Sequence, residues 1–156
     1  MTEIIEATTA DLIDEARALI NEYSMTRPGD PALGQIADEI AGLPGQYAPP
    51  DGCLLLAYND GEPQGCVALR RWDEATAEMK RLYVRPTRRG NGIGRALVLS
   101  VLDRARSLGY ERMLLDTIPG MDRAQSLYRS LGFKEIAPYR NNPNPGTLYF
   151  ELRLVG

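Results

Sequence analysis

Apolar residues recur at helical spacing in four stretches of this chain, and short extended runs lie between them. Leu12, Ala16, Leu19, Ile20 and Tyr23 share one helical face, behind a short strand at Ile4–Ile5 that ends at Ala7. Thr8 or Thr9 is placed to cap that helix, and Arg27-Pro28-Gly29-Asp30-Pro31 breaks it. A second helix is predicted over Leu33–Ala41, followed by a loop rich in Pro and Gly from Gly42 to Gly52. Strands follow at Cys53–Tyr58, at Gly65–Arg71 and around Ala77–Val84. Ile93, Leu97, Val98, Val101, Leu102, Ala105 and Leu108 mark a long helix, with Gly109 as its stop. Arg112–Thr117 is apolar without clean alternation, as expected of a strand covered on both faces. Asp122 can cap a helix with Gln125 as its capping-box partner, and Ala124, Leu127, Tyr128 and Leu131 form the apolar stripe. Gly132 ends it, and strands are predicted at Phe133–Tyr139 and Thr147–Leu154 around the Asn142–Gly146 loop. The order is strand, two helices, three strands, helix, strand, helix, two strands, with neither internal repeat nor a second domain, so residues 1–156 read as one unit.

Composition narrows the class of chemistry. The chain of 156 residues, 44% hydrophobic and 25% charged, has the make-up of an ordinary globule able to bury one core. No apolar run reaches the ~18 residues of a membrane span, and Met1-Thr2-Glu3-Ile4 opens no secretory pattern, so the cytoplasm is the default expectation, with no membrane partner. A formal charge of −3 argues against a nucleic-acid partner. The absence of histidine excludes Ser–His and Cys–His dyads and His-based metal sites, and no metal is expected. Cys53 and Cys66 fall in strands joined through Asp60-Gly61; a two-residue hairpin sets Cys53 against Ala68 and Cys66 against Leu55. The sulfurs are then diagonal neighbours on ~7–8 Å Cα spacing, long for a disulfide, so free buried thiols are expected.

Between the third predicted strand of the middle run and the long helix stands Arg88-Arg89-Gly90-Asn91-Gly92-Ile93-Gly94-Arg95-Ala96. Three glycines expose backbone N–H groups, and the helix that follows directs its positive end at the same place, so the loop suits a phosphate or pyrophosphate. The spacing is neither G-x-G-x-x-G nor a Walker loop. It reads Arg89-x-x-Gly92-x-Gly94 after Glu78-Met79-Lys80-Arg81-Leu82-Tyr83-Val84. That combination resembles the GNAT superfamily of N-acetyltransferases, strongest from Glu78 to Phe133.

The resemblance implies an α/β (α+β) fold, a mixed, mostly antiparallel sheet of about seven strands with splayed central strands, flanked by about four helices. It implies acetyl transfer from acetyl-CoA, the cosubstrate, to a primary amine in a ternary complex. In this family the loop grips the pyrophosphate, which carries over to Arg89, Gly90, Asn91, Gly92, Ile93, Gly94, Arg95 and Ala96. The strand before it holds the pantetheine arm, by position Leu82, Tyr83 and Val84, and a main-chain N–H at Leu82 or Tyr83 faces the developing oxyanion. Glu78, eleven residues before Arg89, matches a glutamate that serves some members as base; its pKa must then be raised by burial, and the alternatives are a solvated carboxylate, an ion pair with Lys80 or Arg81, or a water chain as base. Tyr128 matches the tyrosine that faces the leaving thiolate and contacts the cofactor, the alternative being a core residue. The helix start Gly120-Met121-Asp122-Arg123 lacks the asparagine found in many relatives. For the acceptor, Arg70, Arg71 and Trp72 end a strand near the family's acceptor entrance, where an arginine could clamp a carboxylate, and Tyr139, Arg140, Asn141 and Asn142 lie on the last hairpin, which often walls the acceptor cleft in this family; solvated strand ends and loop polarity are the alternative. A small-molecule amine is favoured, with a protein lysine or N-terminus, a non-catalytic acyl-CoA-binding module and another class of nucleotide-binding α/β protein as alternatives; a homodimer is left open.

Overall fold

The computed structural model describes residues 1–155. Seven strands form one sheet: β1 (Thr2–Glu6), β2 (Cys53–Asn59), β3 (Glu62–Asp73), β4 (Thr76–Val84), β5 (Arg112–Thr117), β6 (Lys134–Ile136) and β7 (Leu148–Arg153). Their spatial order is β1-β2-β3-β4-β5-β7-β6, and only β4 and β5 run parallel. Four α-helices cover it: α1 (Ala10–Met25), α2 (Ile36–Ala41), α3 (Ile93–Ser107) and α4 (Asp122–Ser130).

Alternation along the strands builds two cores, one on each face of the sheet. Cys53, Leu55 and Ala57 of β2 point towards α3 and α4, meeting Leu97, Val101 and Tyr128, while Leu54 and Leu56 point towards Leu19, Ile20 and Tyr23 of α1. Each of these leucines, fully removed from water, contributes roughly 1.5–3 kcal/mol. The caps follow the sequence at two places. Thr9 accepts from the Leu12 amide, and Gly109, at φ +89°, takes the left-handed position after α3.

Several boundaries depart from the sequence reading. The predicted helix over Leu33–Ala41 divides, because Pro31 opens a separate 3-10 turn (Pro31–Leu33) capped by Asp30 and α2 starts only at Ile36. The strand predicted over Phe133–Tyr139 is just the three residues of β6, the rest leaving the sheet. Asp122 does not cap α4: it is the first helical residue, Met121 precedes it without a side-chain cap, and the Gln125 side chain donates through Nε2 to the Ile118 carbonyl instead.

The thiols are also placed differently. Asn59 does face Glu62 across Asp60-Gly61, but a bulge beyond Tyr58 shifts the ladder by one residue, so Cys53 faces Leu69 and Cys66 faces Leu56. A one-residue shift exchanges faces. Cys53 joins the α3 core and Cys66 the α1 core, and both are free.

The feature that shapes the functional site lies in the middle of the sheet. The parallel pair β4–β5 is joined over Thr76–Glu78 and Arg112–Leu114 only. Beyond Glu78 the two strands part, and the gap between Lys80–Leu82 and Leu115–Thr117 opens a cavity.

Candidate active site

A bulge in β4 sets the geometry of this gap. Cys66 pairs with Tyr83 and Ala68 with Lys80, leaving both Arg81 and Leu82 opposite Val67. Arg81 occupies the left-handed region at φ +61°, a strain of about 1–3 kcal/mol for a non-glycine residue. Its guanidinium is anchored by two bonds to Glu39, at 2.8 Å each, in a largely buried pair. Leu82, immediately after, lines the spaces on both sides of the gap, at the place expected for the main-chain oxyanion donor.

The larger space is a cleft of about 1000 Å³ between the β4–α3 loop and the β5–α4 connection. Leu82, Tyr83, Val84, Arg89, Gly90, Gly92, Ile93, Gly94 and Arg95 line it, together with Pro119–Arg123 opposite. Gly90 and Gly92 adopt φ +87° and +77°, and a Cβ on either meets open space. Gly92 is the N-cap of α3 and has no side chain to satisfy the helix, while the Ala96 amide already donates to the Gly92 carbonyl at 3.0 Å. The amides of Ile93, Gly94 and Arg95 therefore lack intrahelical acceptors at the positive end of α3. Five arginines (Arg27, Arg88, Arg89, Arg95, Arg123) line the cleft against one carboxylate, Asp122. Unpaired amides and excess positive charge fit a diphosphate-bearing ligand such as acetyl-CoA.

Three of the expected cofactor contacts, Asn91, Ala96 and Tyr128, fall outside this lining. Ala96 has no amide to offer, and Asn91 turns its side chain to the Arg88 carbonyl at 3.3 Å. Gly94 needs no special conformation; a Cβ there makes ordinary 3.8 Å contacts with Leu127 and Val84.

Towards the sheet the cleft adjoins a small cavity of about 70 Å³. Tyr23, Arg27, Leu82, Ile118, Met121 and Ala124 border both spaces, and Tyr128 lines the small one. Tyr128 packs against Phe133 and Phe150, and burial raises its hydroxyl above the ordinary tyrosine range. Full proton donation is thereby harder than for a free phenol, and hydrogen bonding to a departing sulfur is the easier role.

Glu78 is fully buried, but its environment holds it charged. The Arg70 guanidinium donates to Oε1 at 2.7 Å, the Tyr139 hydroxyl to Oε2 at 2.5 Å and Arg140 to Oε2 at 3.2 Å. Burial alone raises its pKa; Lys80, Arg70 and the Tyr139 hydroxyl outweigh burial and hold the carboxyl below the usual 4.5. The rise that a base at this position requires does not occur, and Glu78 lies outside the lining of both spaces.

Arg70 and Tyr139 are thus occupied with Glu78, and Trp72 stacks edge-on against Tyr139 at 5.0 Å, 38% exposed. None of the three lines the cavity. Arg27, Asp30, Lys80 and Asp116, which the sequence reading left unassigned, line it, together with Arg140 and Asn142 of the last hairpin, which it offered as a wall of the acceptor cleft. Lys80 Nζ stands 4.0 Å from Asp116 and Arg140 Nε 3.7 Å from it. Burial pushes the Lys80 ammonium down from 10.5 to about 8, with Glu78 and Asp116 opposing and Arg81 and Arg140 adding to the fall. Their sequence signal was faint, a polar residue beside a bulge and a loop Asp between prolines.

Comparison with known proteins agrees with this architecture. The profile of the Acetyltransferase (GNAT) family matches residues 15–133. An uncharacterized N-acetyltransferase of Schizosaccharomyces pombe is 38% identical over 144 residues, 91% of this chain and 88% of that protein. Among solved structures, a GNAT acetyltransferase of Staphylococcus aureus superposes with a TM-score of 0.79 at 20% identity, covering 99% of both chains. A Salmonella typhimurium protein solved with its cofactor acetyl-CoA gives 0.74 at 18% identity, covering 100% of this chain and 95% of that one. With its splayed β4–β5 pair, its bulged central strand and its glycine loop at the start of α3, the chain belongs to the GNAT family of acetyl-CoA-dependent acyltransferases.

Proposed function

We propose that this protein transfers the acetyl group of acetyl-CoA to the primary amine of a small molecule, by direct attack within a ternary complex. The observation that carries the reading is the cavity of about 70 Å³ between β4 and β5, bordered by Tyr128 and adjoining the cleft, with Arg27, Asp30, Lys80, Asp116 and Arg140 on its walls. Its volume suits a small acceptor, and its charged lining suits a polar one.

The residues divide the work as follows. The glycine loop and the free amides of Ile93, Gly94 and Arg95 hold the diphosphate. The main chain at Leu82, turned by the bulge, faces the carbonyl oxygen. Tyr128 faces the sulfur as the C–N bond forms and the C–S bond breaks, and the thiolate accepts a proton or hydrogen bond there.

The acceptor ammonium must lose a proton before attack. Moving it from a lysine-like amine of pKa ~10.4 to Glu78, which its cationic neighbours hold below the usual carboxylate range, is steeply uphill. Moving it to neutral Lys80, at about 8, is uphill by about 3 kcal/mol. Lys80, which borders the cavity beside Asp116, is therefore the base in this reading, and Glu78 positions the Tyr139–Arg140 wall.

Free-thiol release from acetyl-CoA across a panel of small primary amines tests the function. Initial rates varied in both substrates give intersecting lines for a ternary complex. Thiol release that no small amine accelerates, while lysine peptides do, sinks the small-molecule reading.

A further inference from the structure

We infer that Arg27 and Asp30 form a recognition pair for the zwitterion of an α-amino acid, Asp30 taking the ammonium that becomes acetylated and Arg27 the neighbouring carboxylate. The inference rests on small-amine acetyl transfer and names the class of acceptor.

The pair is set by the chain's own turn. Arg27-Pro28-Gly29-Asp30 follows α1, with Pro at the second position and Gly29 at φ +77° at the third, and the Asp30 amide donates back to the Arg27 carbonyl at 3.2 Å. This is the type II pattern, in which proline fixes one dihedral and glycine supplies the left-handed one. It brings the first and fourth side chains to the same side of the turn, and both line the small cavity.

The Asp30 carboxylate is only half satisfied. Oδ1 accepts from the Ala32 amide at 2.8 Å and from the Asn144 side chain at 2.7 Å. Oδ2 is buried and has no hydrogen-bond donor among the described residues, on a side chain only 6% exposed. Arg27 Nη1 stands 3.9 Å away, beyond hydrogen-bond reach. An ionised oxygen left buried without a donor is rare and unfavourable unless a ligand supplies one. An ammonium does so with charge assistance.

Arg27 is poised in the complementary way. Its guanidinium lies over the Tyr23 ring at 4.7 Å and donates through Nη2 to the Met121 sulfur at 3.2 Å, a weak acceptor. A carboxylate is a far better partner for the same fork. An α-amino acid carries its ammonium and carboxylate on one carbon, which matches an anion and a cation held side by side. Both side chains stand in the cavity that adjoins the cleft, and Arg27 borders the two spaces.

The test uses the intact protein and compares α-amino acids with their own amides, which keep the ammonium and lose the carboxylate. Wild type should acetylate the acids with kcat/KM at least tenfold above the amides. Asp30→Asn keeps an oxygen for Ala32 and Asn144 and removes the charge; it should raise the KM for acids and amides alike by tenfold or more. Arg27→Gln should abolish the preference, bringing the ratio of kcat/KM for acids over amides, measured in the same variant, down to about one. Acetyl-CoA affinity and the melting temperature, measured for Asp30→Asn, should stay near wild type. Amides acetylated as well as acids by wild type, or an acceptor KM within twofold of wild type in Asp30→Asn, overturns the pair and leaves small-amine transfer standing. Thiol release with none of the amines ends both readings.

Discussion

Glu78 and Arg70 face each other directly across the β3–β4 ladder, and the guanidinium reaches a single carboxylate oxygen through Nε at 2.7 Å and Nη2 at 2.5 Å. With Tyr139 and Arg140 on the other oxygen, the carboxylate is bound on all sides and held ionised. Glu78→Gln leaves Arg70 and Arg140 beside a neutral group. Loss of one partner from a buried pair costs about 3–5 kcal/mol, and a fall in thermal stability of that order is expected at pH 7. Because the folded carboxyl titrates lower than the unfolded one, its stabilisation is present above the ordinary glutamate range and lost as pH falls through the folded value. The gap between variant and wild type should therefore narrow in acid. Turnover should fall by a similar factor from pH 6.5 to 9. A loss confined to neutral pH and relieved in alkali would restore Glu78 as the base.

Tyr128→Phe removes a hydroxyl from the cavity wall and leaves the packing on Phe133 and Phe150 in place. A hydrogen bond to a charged sulfur is worth about 1.5–3 kcal/mol, so kcat should drop about tenfold to a hundredfold with the KM for acetyl-CoA little changed. Steady-state rates decide this, and wild-type turnover in the variant assigns the tyrosine to packing alone.

Gly92 and Gly94 of the loop should behave differently. Gly92 is left-handed and opens onto the cleft, so Gly92→Val strains the α3 N-cap and places methyl groups where phosphate oxygens approach. Calorimetry should show acetyl-CoA bound at least tenfold more weakly, with the circular dichroism spectrum retained. Gly94→Ala meets only ordinary contacts and should bind within about threefold of wild type. Equal losses in both would mean that bulk, not the Gly92 conformation, decides.

The helices and most strands were legible because burial leaves a pattern in the chain; Ile93–Ala105 lies where helical spacing puts it, and Arg112–Thr117 is the apolar run of a strand covered on both faces. The glycine loop was legible because left-handed backbone and free amides demand particular residues. The acceptor cavity was not. Arg27, Asp30, Lys80 and Asp116 come from three separate segments, and only the parting of β4 from β5 brings them together. The β2 bulge was hidden for a related reason. It leaves the Asp60-Gly61 turn intact and yet moves Cys66 to the opposite face.

That placement carries its own consequence. Burial raises the Cys53 thiol to about 11 and Cys66 to about 12, so neither is a thiolate at neutral pH. A thiol reagent at pH 8 should modify neither cysteine in the native protein within the time that denatured protein reacts with both, and non-reducing mass analysis should find no intrachain disulfide. Rapid native labelling at Cys66 would show that the α1 core opens readily.

Lys80 gives the sharpest pH signature. Its ammonium is 10% exposed and surrounded by Glu78 on its own strand, Asp116 on β5, Arg81 at the bulge and Arg140 from the loop before β7. Folding lowers its pKa from 10.5 to about 8, so the folded state gives up this proton first. Relative to the unfolded chain, wild type is therefore penalised below pH 8 and relieved as pH rises towards 10.5, by about 3 kcal/mol in full. Lys80→Met has no such dependence, while both proteins share the alkaline titration of Cys53 and Cys66, which cancels in the comparison. The stability of wild type minus that of the variant should thus shift in favour of wild type between pH 7 and 10.5. As the base, neutral Lys80 should also give wild type a rise in kcat/KM centred near pH 8 that Lys80→Met lacks, with kcat down about a hundredfold. Denaturant titrations at three pH values and a pH–rate profile measure the two effects separately. A stability difference that stays constant with pH would mean that Lys80 keeps an ordinary pKa, and without the neutral amine the proton transfer assigned to it loses its acceptor.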